Sequence, residues 1–432
     1  MLRKLGIYVQ VPFCQTKCTY CNFHTGVVAS SRFAPYVEAV CREIRGHREL
    51  LRAAGVDWPG RSGRGGAASL QRQGEAAGEV GERPASEGGP YTESTLVVDT
   101  VYVGGGTPSL LDPIHLQNIL DAIRETFGEQ SGSEGGPYAL QLEEVTLEAD
   151  PETIEAGKAA AWVGAGINRV SFGLQSFSDK ELVAAGRMHR RADIYRAVPI
   201  LRAAGIRNIS FDLIVGLPHQ TKESWRQSLD ELGTLAPEHV SVYLLEIDEG
   251  SRLGKELLLG GAKYSAGAVP SEDEMADYYE MAQGVLQAAG YHHYEISNWA
   301  KPGFESRHNL KYWRREPYLG FGAGAHSFLG TERWANAHDA ADYVNAVQGG
   351  RLPMEQHERL TSESALEEEL FLGLRQLDGI DVGRIERDYG VTLTERFDPL
   401  ASAGLVEREG SVVRLAPEKL SVSNEVFVEL MR

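Results

Sequence analysis

The sequence predicts an α/β protein built on a parallel sheet, with a small winged-helix-like module at its C-terminal end. Three observations predict it. Six short runs rich in β-branched residues recur between Gly6 and Leu244, helical patterns separate them, and the chain changes character near residue 360. Strand–helix alternation of this kind gives parallel pairing through right-handed crossovers. Six units, against the eight of a closed barrel, imply an incomplete barrel or an open sheet.

Composition sets the outer bounds. With 432 residues the chain can form one large domain and a small one, or two to three ordinary domains. Hydrophobic residues make up 42% and charged residues 24%, so a sizeable core can be buried and wholesale disorder is excluded. The 43 Lys+Arg stand against 61 Asp+Glu, for a net charge of −18. Neutralising phosphates needs a basic face, so nucleic acid is not an expected partner. The apolar stretch Leu5–Phe13 is broken by Gln10 and Pro12 and falls well short of the ~20 residues that cross a bilayer. It also lacks a small-residue cleavage site. A soluble cytoplasmic protein without a membrane span is expected, with room only for peripheral membrane contact.

The elements follow in order. The first run is Gly6–Val11; the helical pattern Tyr36–Leu51 then puts Tyr36, Val37, Val40, Cys41, Ile44 and Leu51 on one face, where Cys41 reads as a small core hydrophobe. From Gly55 to Ser94 there are ten glycines and almost no apolar residues, which predicts a disordered insertion. Strands follow at Thr100–Val103, Glu144–Leu147, Arg169–Phe172, Ile209–Ile214 and Val240–Leu244. The hexapeptide Ser-Glu-Gly-Gly-Pro-Tyr occurs at Ser86–Tyr91 and Ser133–Tyr138, and both copies read as loops. Residues 1–335 form the main unit, 336–359 a linker and 360–432 the terminal domain. In the last, Leu366, Leu370, Phe371 and Leu374 mark a helix, two more follow near Ile380–Asp388 and Leu393–Ala403, and Leu405–Glu407 and Val412–Leu415 flank Glu409-Gly410 as a hairpin. A final helix spans Val422–Met431. The acids Glu367, Glu368 and Glu369 argue against DNA and for packing within the molecule or contact with a protein.

Three of the four cysteines fall within eight residues: Cys14, Cys18 and Cys21 form a C-x3-C-x2-C run directly after the first strand. A disulfide framework spreads its cysteines through the chain, whereas clustered thiolates suit a metal. Three on one loop can hold three irons of a cubane and leave the fourth open to an outside ligand. The alternative is a Cys3His zinc site completed by His24, although structural zinc favours paired C-x2-C units on a longer loop.

With Tyr20 before its last cysteine, this run resembles the signature of the radical S-adenosylmethionine (SAM) superfamily. The resemblance continues from Tyr8 to about Ser327, and is closest to the branch of oxygen-independent coproporphyrinogen III oxidase and its haem-chaperone relatives. It implies an incomplete (β/α)6 parallel barrel, a [4Fe–4S] cluster on Cys14, Cys18 and Cys21, SAM at the open iron, and an electron donor for the cluster. Ligand sites gather at the C-terminal ends of parallel strands, and the matching positions lie there. In Gly104-Gly105-Gly106-Thr107-Pro108 the resemblance assigns Gly105, Gly106 and Thr107 to the methionyl end of SAM. It assigns Glu148 to the cofactor as well, and Gln175 to an adenosyl or ribose edge. Arg187 would pair with the methionyl carboxylate by charge-assisted bonds, and Asp212, an acid inside an otherwise apolar strand, is placed near the cofactor. Tyr8 and the backbone around Tyr20 complete that pocket.

Two departures separate the branches. The oxidases resembled carry a fourth cysteine two residues after the third, where this chain has Phe23, and a long N-terminal extension, where this chain has 13 residues before Cys14. His308-Asn309-Leu310-Lys311-Tyr312-Trp313 resembles the haem-associated motif of the chaperone branch. An imidazole can ligate haem iron, and Tyr312 and Trp313 can stack on a porphyrin. His308 and Asn309 could equally cap a helix while the aromatics fill core, and His326 in a Gly-rich turn is a second candidate ligand. The expectation is a haem chaperone of porphyrin metabolism that passes haem to an acceptor protein, with no catalytic residue assigned. The rival is a radical oxidative decarboxylase of coproporphyrinogen III; a zinc-stabilised interaction protein is a third reading.

Overall fold

The computed structural model describes residues 3–53, 55, 96–128 and 138–430. The expected insertion lies outside the described residues except for Gly55, and both Ser-Glu-Gly-Gly-Pro-Tyr copies lie outside them except for Tyr138.

The six expected strands form one parallel block in chain order. The elements run β1 (Arg3–Val11), α1 (Phe33–Ala53), β2 (Leu96–Gly105), α2 (Pro113–Phe127), β3 (Tyr138–Ala149), α3 (Ala156–Ala165), β4 (Arg169–Gln175), α4 (Asp179–Ala184), α5 (Arg191–Ala204), β5 (Asn208–Val215), α6 (Lys222–Leu235) and β6 (His239–Leu244). In β1 the alternate residues Leu5, Ile7, Val9 and Val11 are fully buried, while Tyr8 and Gln10 on the other face are half-buried. Tyr36, Val37, Val40 and Ile44 bury the inner stripe of α1, and Cys41 joins them as the small core residue expected. Asp112 caps α2 by accepting from the Ile114 amide at 3.0 Å, with Pro113 at its first position.

Further strands extend both edges of the block, in the order β12-β11-β10-β9-β1-β2-β3-β4-β5-β6-β8-β7. After α7 (Arg252–Leu258) and α8 (Glu272–Ala288), β7 (His292–Glu295) and β8 (Asn298–Ala300) add an antiparallel edge beyond β6. Then α9 (Arg307–Trp313) leads into β9 (Tyr318–Phe321), which lies parallel to β1. Antiparallel β10 (His326–Leu329), β11 (Glu332–Asn336), α10 (Ala340–Gln348) and β12 (Met354–Arg359) follow. The expected linker 336–359 is therefore corrected: β12 pairs along β11, and Tyr343 of α10 is buried, its hydroxyl donating to Glu43 of α1 at 2.6 Å. The sequence Met-Glu-Gln-His-Glu-Arg hid the strand, because a charged, exposed edge strand has no alternation of apolar residues.

Beyond residue 360 come helices Ser362–Gly373, Val382–Tyr389, Thr394–Ser402 and Ser423–Leu430, with a hairpin of Val406–Glu409 and Val412–Leu415. Gly410 turns that hairpin at φ +62°. One detail differs from expectation: Ile380–Asp381 is a short third strand on the hairpin, not helix. Glu368 receives ion pairs from Arg315 and Arg333, and the Ile296 amide donates to the Arg375 carbonyl at 3.1 Å, so the acidic run docks the terminal segment on the main sheet. Among the described residues no helix is long and apolar enough to cross a membrane.

Candidate functional site

The cysteine loop leaves the C-terminal end of β1 and is tied down by backbone hydrogen bonds. The Cys14 amide donates to the Gly26 carbonyl at 3.0 Å and the Gly26 amide to Pro12 at 2.9 Å, which closes the loop on itself. The Thr19 amide donates to Ala185 at 3.0 Å and the Leu253 amide to Thr19 at 2.7 Å, which fixes the middle of the loop between the segments after α4 and before α7. Cys14, Cys18 and Cys21 are free and half-buried, and burial pushes the thiols of Cys14 and Cys21 up. Among the described residues, no three His, Cys, Asp or Glu side chains are arranged to close on one metal ion.

The end of β2 braces this loop. The Gly106 amide donates to Val11 at 2.9 Å and the Thr107 amide to Phe13 at 2.7 Å. Gly105 has φ +110°, a conformation that favours glycine, and a Cβ there would also displace the side-chain amide of Gln10. The Gly105 amide donates to Glu148 Oε2 at 2.8 Å, and the Tyr102 hydroxyl to Oε1 at 2.8 Å. Burial nevertheless pushes the Glu148 carboxyl up to about 7.

A second acid stands two residues beyond Glu148. Asp150 accepts from the Thr107 hydroxyl at 3.0 Å and pairs with the guanidinium of Arg187. Arg187 also donates to Cys18 Sγ at 3.4 Å and to the Gly173 carbonyl at 2.8 Å, while its buried Nε has no partner. A cation thus stands beside one thiol, held by the acid at the end of β3. Gln175 sits at φ +66° next to Gly173, with its Nε2 2.9 Å from where a Gly173 Cβ would lie. Asp212 lies among three serines, accepting from Ser241 at 2.8 Å, Ser171 at 3.1 Å and Ser210 at 3.4 Å; burial pushes it up despite these bonds. Tyr20 is half-buried against the core, coupled electrostatically to Cys18 and Arg187.

A cavity of about 360 Å³ opens against the cysteine loop, lined by Tyr8, Gln10, Gly105 and Glu148 of the first three strands. Phe23, His24, Tyr312, Tyr318, Gly324, His326 and His338 complete its lining. Of the residues expected at SAM, Tyr8, Gly105 and Glu148 line the cavity, whereas Tyr20, Gly106, Thr107, Gln175, Arg187 and Asp212 do not. Long-range packing adds Gln10, Tyr318 and His338, which no local signal marked, and sets Phe23 and His24 of the cysteine loop beside them.

The haem motif is redistributed. His308 is 1% exposed, with Nδ1 2.9 Å from the Thr100 hydroxyl and Nε2 2.9 Å from Tyr312 Oη. Its amide donates to Glu144 Oε1 at 3.0 Å, so Glu144 caps the start of α9. It fits because Gly6 of β1 has no side chain: a Cβ there would lie 3.2 Å from His308 Cε1. Both ring nitrogens are engaged in these bonds, and the ring does not line the cavity. Asn309 continues α9, its amide donating to Ser306 Oγ at 3.4 Å. Trp313 lies under the Arg375 guanidinium at 4.6 Å and does not line the cavity. Only Tyr312 of the four reaches it.

Burial lowers the His308 imidazole to about 3. The folded protein cannot take up the proton that the unfolded chain binds below pH 6.5, so the stability His308 contributes is full above pH 6.5 and lost as the pH falls toward 3. His308→Ala is expected to cost about 2–4 kcal/mol near pH 7.5, from the cavity and two orphaned hydroxyls. That cost should shrink by up to about 1.4 kcal/mol per pH unit below 6.5. Denaturant melts of both proteins at several pH values check this; a pH-independent difference would refute it.

Residues 94–232 match the Radical SAM superfamily model and residues 360–418 the HemN C-terminal domain. The chain is 32% identical over 424 residues to the heme chaperone HemW of Bacillus subtilis, covering 97% of each, and 33% identical to that of Synechocystis, covering 93% of this chain and 84% of the relative. Among solved structures, the coproporphyrinogen III oxidase HemN of Escherichia coli superposes with a TM-score of 0.75 over 99% of this chain and 90% of its own, at 20% identity, a likeness of fold. The radical SAM family implies a [4Fe–4S] cluster and SAM.

Proposed function

Since the chain belongs to the HemW family of radical SAM proteins, we propose that it is a cytoplasmic haem chaperone that binds haem and delivers it to an acceptor protein. The observation that carries this reading is the 32% identity with a heme chaperone over 97% of both chains. The cluster is assigned to Cys14, Cys18 and Cys21, and SAM to Tyr8, Gly105 and Glu148 at the cavity together with Tyr20, Gly106, Thr107, Gln175, Arg187 and Asp212.

The donor set fits the cluster. Three free thiols on one tied loop, not closing on a single point, suit a cubane in which each sulfur meets its own iron. The ring of His24 is turned to His338, tilted at 4.2 Å, and no three donors among the described residues close on one ion, which argues against a Cys3His zinc site. When bound, the cluster supplies one electron to the sulfonium of SAM, delivered by an electron donor. The chain's own part is electrostatic. Arg187 sets a cation beside Cys18, Asp150 holds that cation in place, and Glu148 is poised to accept a hydrogen bond or an ammonium group at the cavity wall. Clustered free thiols need a reducing compartment, which supports the cytoplasm.

The test uses anaerobically purified protein loaded with haemin and mixed with an apo-haemoprotein. The Soret band should move to the acceptor, while coproporphyrinogen III with SAM and a reductant should give no protoporphyrinogen at catalytic turnover. Turnover on that substrate would replace the chaperone reading with the oxidase one.

A further inference from the structure

With His308 sealed in the core, the haem reading lacks an iron ligand, and the cavity offers others. His24, His326 and His338 all line it, and the rings of His24 and His338 meet at 4.2 Å. His24 lies on the cysteine loop, His326 opens β10 after the Gly322–Gly324 turn, and His338 follows β11. The Gly324 amide donates to Ala337 at 2.9 Å and the Asn336 amide to Ala325 at 2.9 Å, which binds the His326 and His338 segments side by side. A Cβ on Gly324 would stand 3.2 Å from His338 Nδ1, so glycine leaves this ring room. Below the turn, Glu43 accepts from the Gly322 amide at 2.9 Å and from Asn336 at 2.7 Å, a buried strut under both segments.

Three features separate this cluster from core histidines. The buried Nδ1 of His338 has no partner, and no ring nitrogen of His24 or His326 has one among the described residues. His24 and His326 are exposed and His338 half-buried. Aromatic surface stands beside them: Phe23 is 65% exposed, and Tyr312 and Tyr318 meet edge to face at 4.7 Å on the same wall. An exposed phenylalanine beside unpartnered imidazoles on a concave wall has the composition of a binding surface.

The chemistry of the ligand follows from what the three rings cannot do. They do not converge on one point, so a bare ion that needs three or four protein donors is not served. A metalloporphyrin brings four nitrogens of its own and needs only one or two imidazoles with free lone pairs, plus flat apolar contact for the macrocycle. We infer that haem docks at this rim, with axial ligation by an imidazole of the His326–His338 pair and the porphyrin against Phe23, Tyr312 and Tyr318. The inference rests on the haem-chaperone reading and gives its cargo a site distinct from His308.

The experiment is an anaerobic titration with haemin, and in parallel with iron-free protoporphyrin IX, of wild type, the double variant His326→Gln/His338→Gln, and the single variants His326→Tyr and His338→Tyr. Cluster iron and sulfide, measured on each, report that the barrel is intact. The double variant should bind haemin at least tenfold more weakly, lose the imidazole-ligated Soret and visible bands, and keep wild-type affinity for protoporphyrin IX. One tyrosine variant should show the charge-transfer band of a phenolate-ligated ferric haem, which a merely structural histidine would not produce. Wild-type haemin affinity and spectrum in the double variant and in both tyrosine variants would overturn the site and leave the chaperone reading standing. A wild-type protein that binds no haemin would overturn both.

Discussion

Cys18→Ala protein, purified without oxygen, is expected to be colourless, with iron and acid-labile sulfide reduced to near the background of a metal-free protein. The three thiols are the whole of the proposed ligand set, so removing one leaves a cubane held at two corners, with a second iron open to solvent. Cys18 is also the most tightly integrated of the three: the Arg187 guanidinium donates to its sulfur at 3.4 Å, and Arg187 is in turn held by Asp150 and the Gly173 carbonyl. The alanine variant strands that cation against an empty loop, a loss that rotation of Cys14 or Cys21 does not repair. Cys41→Ala is the control, because Cys41 lies in the core stripe of α1, away from the loop. It should keep full iron and sulfide at a modest cost in stability. Undiminished iron and sulfide in the Cys18 variant would remove the cluster from this loop; a colourless wild type holding zinc would restore the zinc-site reading.

The fold was legible where local chemistry and global topology agree. The parallel strands are β-branched runs, β2 to β5 of which end at or beside glycine, an acid or a glutamine, and the helices between carry clear apolar stripes, so order and direction followed from alternation alone. The hairpin at Glu409-Gly410 was legible for the same reason, since a glycine with positive φ is what that turn requires. Pairings without a local signature were not legible. β7 and β8 are very short, β12 is a charged edge, and β9 reaches β1 from the far end of the main unit. In the site, strand ends delivered Tyr8, Gly105 and Glu148 because ends of parallel strands share one rim. His308 misled, as its motif holds an imidazole and two aromatics in sequence, whereas helix α9 turns the imidazole toward Gly6 and Trp313 toward Arg375. The glycine in the first strand was the available clue, a gap that something had to fill. The contact of His24 with His338 joins the two ends of the main unit and leaves no trace in either neighbourhood.

The second large effect is expected at a residue with no side chain. A Cβ on Gly106 would lie 2.5 Å from the carbonyl oxygen of Phe13 and 2.9 Å from its carbonyl carbon and amide nitrogen. All three are backbone atoms, so no flexible side chain can give way. The Phe13 peptide is also fixed from both sides: the Thr107 amide donates to its carbonyl at 2.7 Å, and the next residue, Cys14, bonds Gly26 at 3.0 Å. Gly106→Ala must therefore break the Gly106–Val11 and Thr107–Phe13 hydrogen bonds or push the peptide that carries the first cysteine. Overpacking of this kind costs about 1–3 kcal/mol, and displacement of Cys14 relative to Cys18 and Cys21 should lower cluster incorporation severalfold. Gly157→Ala is the matched control, since its Cβ in α3 meets nothing within 4 Å and alanine favours a helix by about 0.5–1 kcal/mol. Melting temperature together with iron and sulfide per chain separates the two. A Gly106→Ala protein as stable as wild type and fully loaded with iron would mean that the cysteine loop takes its shape without the end of β2, and the glycines there would need another explanation.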